Sequence, residues 1–147
     1  MSSEPTNPSA AGDVYASAEL YARIQQFYAD QMGLMDHGHA EEWAATFTED
    51  AVFQGAVSGR AALADSARAH TRKLAEEKAD FRHWIGMLDV RPEPDGSLRT
   101  RAYALTARTV RGEALQLTAS VVCRDHLVLR DGRWLVSHRS LRRDGTA

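Results

Sequence analysis

The sequence predicts an α+β fold in which helices pack on one face of a single antiparallel sheet. Between residues 20 and 79 the apolar residues recur at spacings of three and four, which is the period of amphipathic helices. From Asp80 onward the period changes to two, and turn-forming residues divide the rest of the chain into four β segments. A long, twisted sheet curls around its helices, so we expect a pocket for a small ligand between the two layers.

Three helices are predicted before the long strands. The first carries an apolar stripe over residues 20–35 and breaks at Asp36-His37-Gly38, where glycine favours helix termination. The second is predicted at residues 40–47, followed by a short strand at 51–54, and the third at residues 60–79. Asp36 is therefore expected at a helix end, close to the rim of the pocket.

Four β segments and three turns complete the chain. The segments are predicted at residues 81–91, 98–110, 114–129 and 134–142, and the turns contain residues 92–96, Arg111-Gly112 and Asp131-Gly132. The Asp-Gly pair is typical of a two-residue type I′ hairpin. Three consecutive hairpins form an antiparallel meander.

Length and composition predict one domain and argue against nucleic acid or a membrane surface as its partner. A chain of 147 residues with 44% hydrophobic content can form one core. Residues 1–12, MSSEPTNPSAAG, do not have the pattern of a secretory signal and are predicted as a disordered tail, with a single domain at residues 13–147. The net charge is −2 and the basic residues are dispersed, which argues against nucleic acid or an anionic membrane as a partner.

Neither a membrane span nor a disulfide is expected. No apolar run approaches the roughly 18 residues of a membrane-spanning helix. The one cysteine, Cys123, lies in an apolar run and has no second cysteine to pair with, which is typical of a reducing compartment. We therefore expect a cytoplasmic protein.

The order of these elements and three stretches of sequence resemble the SnoaL-like branch of the NTF2-like superfamily. The stretches are LMDHGHAEEWAATFTEDAVF, RHWIGMLDV and YALTARTV…VVCRDHLVLRDGRWLVSHRSLRRD. The resemblance covers nearly the whole chain after Gly12. It implies a cone-shaped fold in which a curved antiparallel sheet wraps around three helices and encloses a cavity.

Two residues are similar to the active-site pair of polyketide cyclases and scytalone dehydratase in that branch. An Asp closes the first helix, here Asp36, and a His lies early in the second strand, here His83. In the dehydratase the Asp positions a His that acts on the substrate. The chain differs from the dehydratase in having Met35 where that enzyme has a tyrosine, and no histidine in residues 105–109.

His83 and Asp36 are the candidate catalytic residues. Strand alternation places His83 on the side of Phe81, Ile85 and Met87, which faces the pocket if the strand has no bulge. A carboxylate that accepts from one imidazole nitrogen leaves the other free to take a substrate proton. The alternatives are a core histidine bonded to a neighbour and a carboxylate that bonds the backbone amides of the His37-Gly38-His39 turn.

Asp125 and His138 form a second candidate pair. The Asp131-Gly132 hairpin predicts a register that places Leu129 opposite Trp134, Leu127 opposite Val136, and Asp125 opposite His138. Such a pair could act in acid–base chemistry, anchor a ligand, or simply satisfy its own hydrogen bonds. Further candidates for the lining of the pocket are Tyr28, Met32, Met35, Phe53, Met87 and Tyr103, whose hydroxyl could contact a carbonyl or leaving group.

No metal and no cofactor are predicted. His37, His39 and His83 do not provide the three or four convergent ligands that a metal site needs, because a His-Gly-His turn usually faces solvent. The sequence contains no Gly-rich phosphate loop, no Cys-x-x-Cys pair and no Gly-x-Ser-x-Gly elbow.

The leading hypothesis is a cofactor-independent cyclase, dehydratase or isomerase acting on an apolar, oxygenated, polyketide-type molecule by His/Asp acid–base chemistry. A second hypothesis is a small-molecule-binding protein without turnover. A third is a structural partner similar to the β subunits of ring-hydroxylating dioxygenases, which the chain resembles in Arg124-Asp125…Asp131-Gly132…Trp134…Arg139. We also expect a homodimer through the outer face of the sheet, where Trp84 and Leu88 would otherwise be exposed.

Overall fold

Three helices and six strands make up residues 15–146, which are the residues that the computed structural model describes. The predicted tail at residues 1–12 lies outside them. The elements are α1 Ala18–Asp36, α2 Ala40–Ala44, β1 Phe47–Phe53, β2 Ala56–Val57, α3 Gly59–Glu77, β3 Ala79–Pro92, β4 Leu98–Val110, β5 Gln116–Arg130 and β6 Arg133–Arg143. The predicted α+β layout and the four long strands are confirmed.

The strands form one curved sheet in the order β2-β1-β6-β5-β4-β3. Strands β3 to β6 form the predicted antiparallel meander. Strand β1, however, pairs in parallel with β6, so the sheet is mixed and the prediction of a purely antiparallel sheet is wrong at this edge. The residue pattern of a strand specifies which face is buried but not the direction of its neighbour, which depends on where the intervening chain returns.

The second helix is shorter than predicted. It ends at Ala44, and Phe47 begins β1 opposite Val136 of β6. The Thr46 hydroxyl donates to the carbonyl of Trp43 at 2.6 Å, and the backbone amide of Val136 donates to the carbonyl of Thr46 at 2.9 Å. Pairing with β6 therefore extends the first strand toward its N-terminus at the expense of the helix.

The end of α1 is held close to α3. Ser17 caps the start of α1 by accepting from the backbone amide of Leu20 at 3.1 Å. At the other end Gly38 has a φ of +78°, and a Cβ at this position would lie 3.0 Å from Cγ2 of Thr71 in α3. Only glycine combines this backbone conformation with so close an approach. The turn therefore fixes where α1 stops and where Asp36 lies.

Strand β3 contains a bulge between Gly86 and Asp89. Met87 has a φ of +52° and is 74% exposed, so it does not share the inward face with His83, and that prediction is wrong. After the bulge Leu88 packs against the core and Val90 is buried. Leu88 is therefore not on the outer face either, because the extra residue reverses the alternation that both predictions assumed.

The core lies between the helices and the concave face of the sheet. It is formed by α1, α2 and α3 on one side and by inward residues of the strands on the other, among them Ile24, Trp43, Phe47, Leu98, Leu127 and Val136. The core occupies the end of the cone near the hairpin between β5 and β6. The space beyond it is left open as a cavity.

Candidate active site

An apolar cavity of about 350 Å³ opens between the helices and the sheet. Its walls include Met32 and Met35 of α1, Phe53 of β1 and Ile85 of β3. The predicted positions of Met32, Met35 and Phe53 at the pocket are thus observed. A few polar groups interrupt the apolar surface, and they are contributed by Ser58, Ser66, His83, Thr106, Cys123 and Arg139. This composition is typical of a site for a small organic molecule.

His83 lies on the wall of this cavity and forms a close pair with Asp36, which is not itself part of the lining. Nδ1 of His83 lies 2.6 Å from Oδ1 of Asp36, and the backbone amide of His83 donates to Oδ2 at 3.0 Å. The side chains are 20% and 8% exposed, respectively. Both carboxylate oxygens thus contact the same residue, which fixes the orientation of the imidazole ring. The carboxylate accepts from Nδ1–H, so Nε2 is left to exchange a proton with a ligand.

Phe81 lies between His83 and a second histidine, His70 of α3. The ring centroid of Phe81 is 5.1 Å from that of His83 and 4.8 Å from that of His70, both in edge-on arrangements. Burial lowers the pKa of His70, and the neighbouring charge of His83 lowers it further. The cation of His70 is thus disfavoured, and its ring contacts Phe81, which in turn contacts His83.

A buried ion pair lies at another part of the cavity wall. Arg139 donates through Nε to Oδ1 of Asp125 at 2.9 Å and through Nη2 to Oδ2 at 2.8 Å. The two side chains are 4% and 0% exposed. Tyr28 also donates to Oδ2 at 2.6 Å, and its hydroxyl contacts Thr100 at 2.6 Å. Burial raises the pKa of Tyr28, and the charge of Asp125 raises it further, so Tyr28 is protonated.

Arg139 is a charged cavity residue that the sequence analysis did not assign to the site. The predicted register holds for Leu129 with Trp134 and for Leu127 with Val136, but a bulge between His126 and Leu127 then shifts it by one residue. Asp125 therefore faces Arg139. Burial opposes the charge of Arg139, but Asp125 raises its pKa above the ordinary value, so the guanidinium is cationic.

His138 does not reach the cavity. It is exposed and faces His126, with ring centroids 5.8 Å apart, so its predicted pairing with Asp125 is wrong. The hairpin motif fixes the pairs nearest the turn, and a bulge further along has no equally clear sequence signal.

Three other predicted lining residues lie elsewhere. Tyr103 is 49% exposed, and the guanidinium of Arg101 lies 5.7 Å from its ring, so its predicted place at the pocket is wrong. Tyr28 and Met87 border a second recess of about 340 Å³ instead. His83 and Met32 line both spaces, so the recess adjoins the cavity at these two residues.

The thiol of Cys123 also lines the cavity. Burial raises the pKa of its thiol to about 12. A thiol with this pKa is protonated near neutral pH and reacts slowly. Within residues 15–146, no three side chains of His, Cys, Asp or Glu converge in the manner of a metal site. None of the helices in the same part of the chain has the length and apolarity needed to cross a membrane.

The fold and the site together define the class of the protein. A curved sheet wraps around three helices and leaves an apolar cavity, with His83 on the cavity wall and Asp36 bonded to it. The chain belongs to the SnoaL-like family, whose domain model matches residues 16–140. The predicted resemblance is thus confirmed. No curated protein matches the sequence.

Solved structures agree with this assignment. Aln2 from a Streptomyces species is 34% identical with a TM-score of 0.82, over 88% of this chain and 94% of that one. ActVI-ORFA from Streptomyces coelicolor is 30% identical with a TM-score of 0.82, over 89% and 99%. A protein from Catenulispora acidiphila, in complex with S-DNPA, is 34% identical with a TM-score of 0.73, over 87% and 96%. An NTF2-like protein with a cystatin-like fold, at 24% identity, supports the fold alone.

Proposed function

We propose that the protein is a cofactor-independent cyclase, dehydratase or isomerase that acts on an apolar, oxygenated, polyketide-type molecule. His83 is the general base, Asp36 orients it, and the apolar walls exclude water from the reacting atoms. The observation that carries the proposal is the 2.6 Å contact between Nδ1 of His83 and Oδ1 of Asp36 at the edge of an apolar cavity. Histidine is suited to this role because its proton exchanges near neutral pH.

The reaction begins with transfer of a carbon-bound proton to Nε2 of His83. The electrons of the C–H bond move toward an adjacent carbonyl and give an enolate, while the imidazolium is stabilised by Asp36. Return of the proton to another carbon gives isomerisation, and its delivery to a hydroxyl whose C–O bond breaks gives dehydration. In ring closure the enolate carbon attacks a second carbonyl carbon, the π bond of that carbonyl breaks, and its oxygen takes the proton from His83. The same dyad serves all three outcomes, so the shape of the cavity selects among them.

Deuterium exchange tests this chemistry directly. S-DNPA, the ligand of the Catenulispora acidiphila relative, is a suitable first probe. Its binding is followed by the fluorescence of Trp43, which lines the cavity, and its exchange in D₂O by mass spectrometry. We expect His83→Gln to slow enzyme-dependent exchange by at least about 100-fold, with Asp36→Asn close to it and the double variant little worse than either.

The control is His39→Gln, which makes the same substitution at an exposed histidine outside the cavity and should retain exchange. Full exchange in a folded His83→Gln variant would refute the proposal that His83 is the general base. Binding without any exchange in the wild-type protein would favour the second hypothesis, a binding protein without turnover. Co-purification with a larger iron-containing subunit would instead favour the dioxygenase-type partner.

We further propose a homodimer through the outer face of the sheet. Trp84, Leu105 and Leu117 are exposed there and border a shallow groove together with Asp80 and Arg82. A two-fold interface can bury the apolar side chains and pair the opposite charges of one copy with those of the other. Light scattering should give twice the chain mass of 16.2 kDa, and Trp84→Lys should give the monomer mass. A monomeric wild-type protein at micromolar concentration would contradict the dimer.

The cytoplasmic location stays a prediction.

A further inference from the structure

The guanidinium of Arg139 has one nitrogen that the protein itself does not use. Its Nε donates to Asp125, and its Nη2 donates to Asp125 and to Oε1 of Gln31, the latter at 2.6 Å. None of these three bonds uses Nη1, and the side chain of Arg139 lines the cavity. Among the described residues, Oγ1 of Thr48 is the one fully enclosed side-chain polar atom without a partner, so Nη1 of Arg139 is not enclosed by protein atoms. A ligand acceptor placed beside it gains a charge-assisted hydrogen bond.

The position of this donor is fixed before any ligand arrives. Two parallel bonds to Asp125 set the plane of the guanidinium, and its Cζ lies 5.1 Å from the ring centroid of Phe47. Gln31 is itself held, because its amide nitrogen donates to the hydroxyl of Thr46 at 2.8 Å. A donor that is held in this way loses little freedom on binding, which increases its contribution.

The charge around Arg139 limits the kind of oxygen that it binds. Asp125 already balances the guanidinium, so the pair as a whole is neutral. A permanent ligand carboxylate would place a second anion beside Asp125 at low dielectric, which is unfavourable. A carbonyl oxygen pays no such cost, and it gains negative charge only when the neighbouring C–H bond is broken.

We propose that Nη1 of Arg139 binds the carbonyl oxygen of the substrate and stabilises the enolate oxygen that forms from it. This inference rests on the proposed function, and it names the substrate class as a ketone whose acidic carbon faces His83. The proton moves from carbon to Nε2 of His83, the C–H electron pair forms the C=C bond, and the carbonyl π electrons move to oxygen. Arg139 donates a hydrogen bond throughout and is not itself deprotonated.

The test compares two probes that differ by one oxygen. 2-Naphthol resembles an enol and naphthalene lacks the oxygen, and both are small enough for a 350 Å³ cavity. Their dissociation constants are measured by equilibrium dialysis, and the ratio of the two reports the contact to oxygen. We expect the wild-type protein to bind 2-naphthol about 10- to 100-fold more tightly than naphthalene, since hydrogen bonds from charged donors have this strength.

The variant that removes the donor is Asp125→Leu/Arg139→Met, which removes both charges together and so leaves no unpaired ion in the core. We expect its ratio to fall at least about tenfold while its affinity for naphthalene changes little. Thr100→Val is the matched control, because it removes a partner of Tyr28 from the same network and leaves Arg139 in place. An unchanged ratio in the double variant would overturn the proposal.

His83→Leu separates this contact from the dyad. If Arg139 binds the oxygen, His83→Leu should still prefer 2-naphthol to naphthalene by most of the wild-type factor. Equal affinity of this variant for the two probes would assign the oxygen to His83 and overturn the proposal. Should the double variant not fold, the affinities of His83→Leu for the two probes decide alone, because Arg139 is then the charged hydrogen-bond donor left in the lining of the cavity. Since dialysis measures binding without turnover, failure here is distinct from failure of the base in the exchange experiment.

Discussion

Removal of one partner of the buried ion pair should destabilise the protein far more than removal of both. In Arg139→Met the carboxylate of Asp125, whose side chain is 0% exposed, loses both of its guanidinium contacts and keeps the hydroxyl of Tyr28 and the thiol of Cys123 as donors. An unpaired charge of this kind costs about 3–5 kcal/mol of the free energy of unfolding. For a chain of this size the melting temperature should fall by roughly 6–20 °C.

Asp125→Leu should cost a similar amount, because it leaves the cation of Arg139 unpaired. The double variant Asp125→Leu/Arg139→Met should lie within about 2 kcal/mol of the wild-type protein, since apolar side chains of similar volume often replace a buried pair without loss. The four proteins form a double-mutant cycle, and we expect a coupling energy of at least about 2 kcal/mol from urea unfolding.

An exposed pair provides the matched control for this cycle. Arg23 donates to Glu19 at 2.9 Å on the outer side of α1, where both side chains are mostly exposed. Arg23→Met makes the same substitution and should cost less than about 0.5 kcal/mol. A cost below about 1 kcal/mol for Arg139→Met would show that water reaches Asp125, and the reasoning from burial would be refuted.

Three further predictions follow from single positions. Gly38→Ala should lower the free energy of unfolding by about 1 kcal/mol or more because of its positive φ and its contact with Thr71, whereas Gly33→Ala, in the open interior of α1, should raise it by about 0.5–1 kcal/mol in urea unfolding. Cys123 should react with a thiol reagent at pH 8 only after unfolding, because its pKa is about 12 in the folded protein; rapid reaction of the native protein would contradict its burial. Because the pKa of His70 is lowered in the folded protein, the unfolded chain binds more protons, and the free energy of unfolding should decrease as pH falls below about 6.5. In urea unfolding, His70→Leu should reduce this dependence on pH. An unchanged dependence would show that other groups cause it.

The contact between His83 and Asp36 shows why part of the candidate site could be predicted. His83 lies before the bulge in β3, so the alternation of Phe81, His83 and Ile85 is regular, and the inward direction of the imidazole follows from the period of a strand. Asp36 lies at a helix end that Gly38 marks in the sequence. Each residue is thus placed by a local rule, and the family resemblance supplied the expectation that the two meet.

The sequence by itself determined the elements, the meander and the tight turn at Asp131-Gly132, because helix and strand periods and turn chemistry depend on neighbouring residues. Only the tertiary structure decided the parallel pairing of β1 with β6 and the outward direction of Met87. It also decided that Asp125 faces Arg139 and not His138. A bulge shifts every later residue of a strand relative to its partner, so the register beyond it does not follow from the turn of the hairpin. The buried charge of Arg139 is stable only because residues from α1 and β5 converge on it, and such convergence is a property of the folded chain.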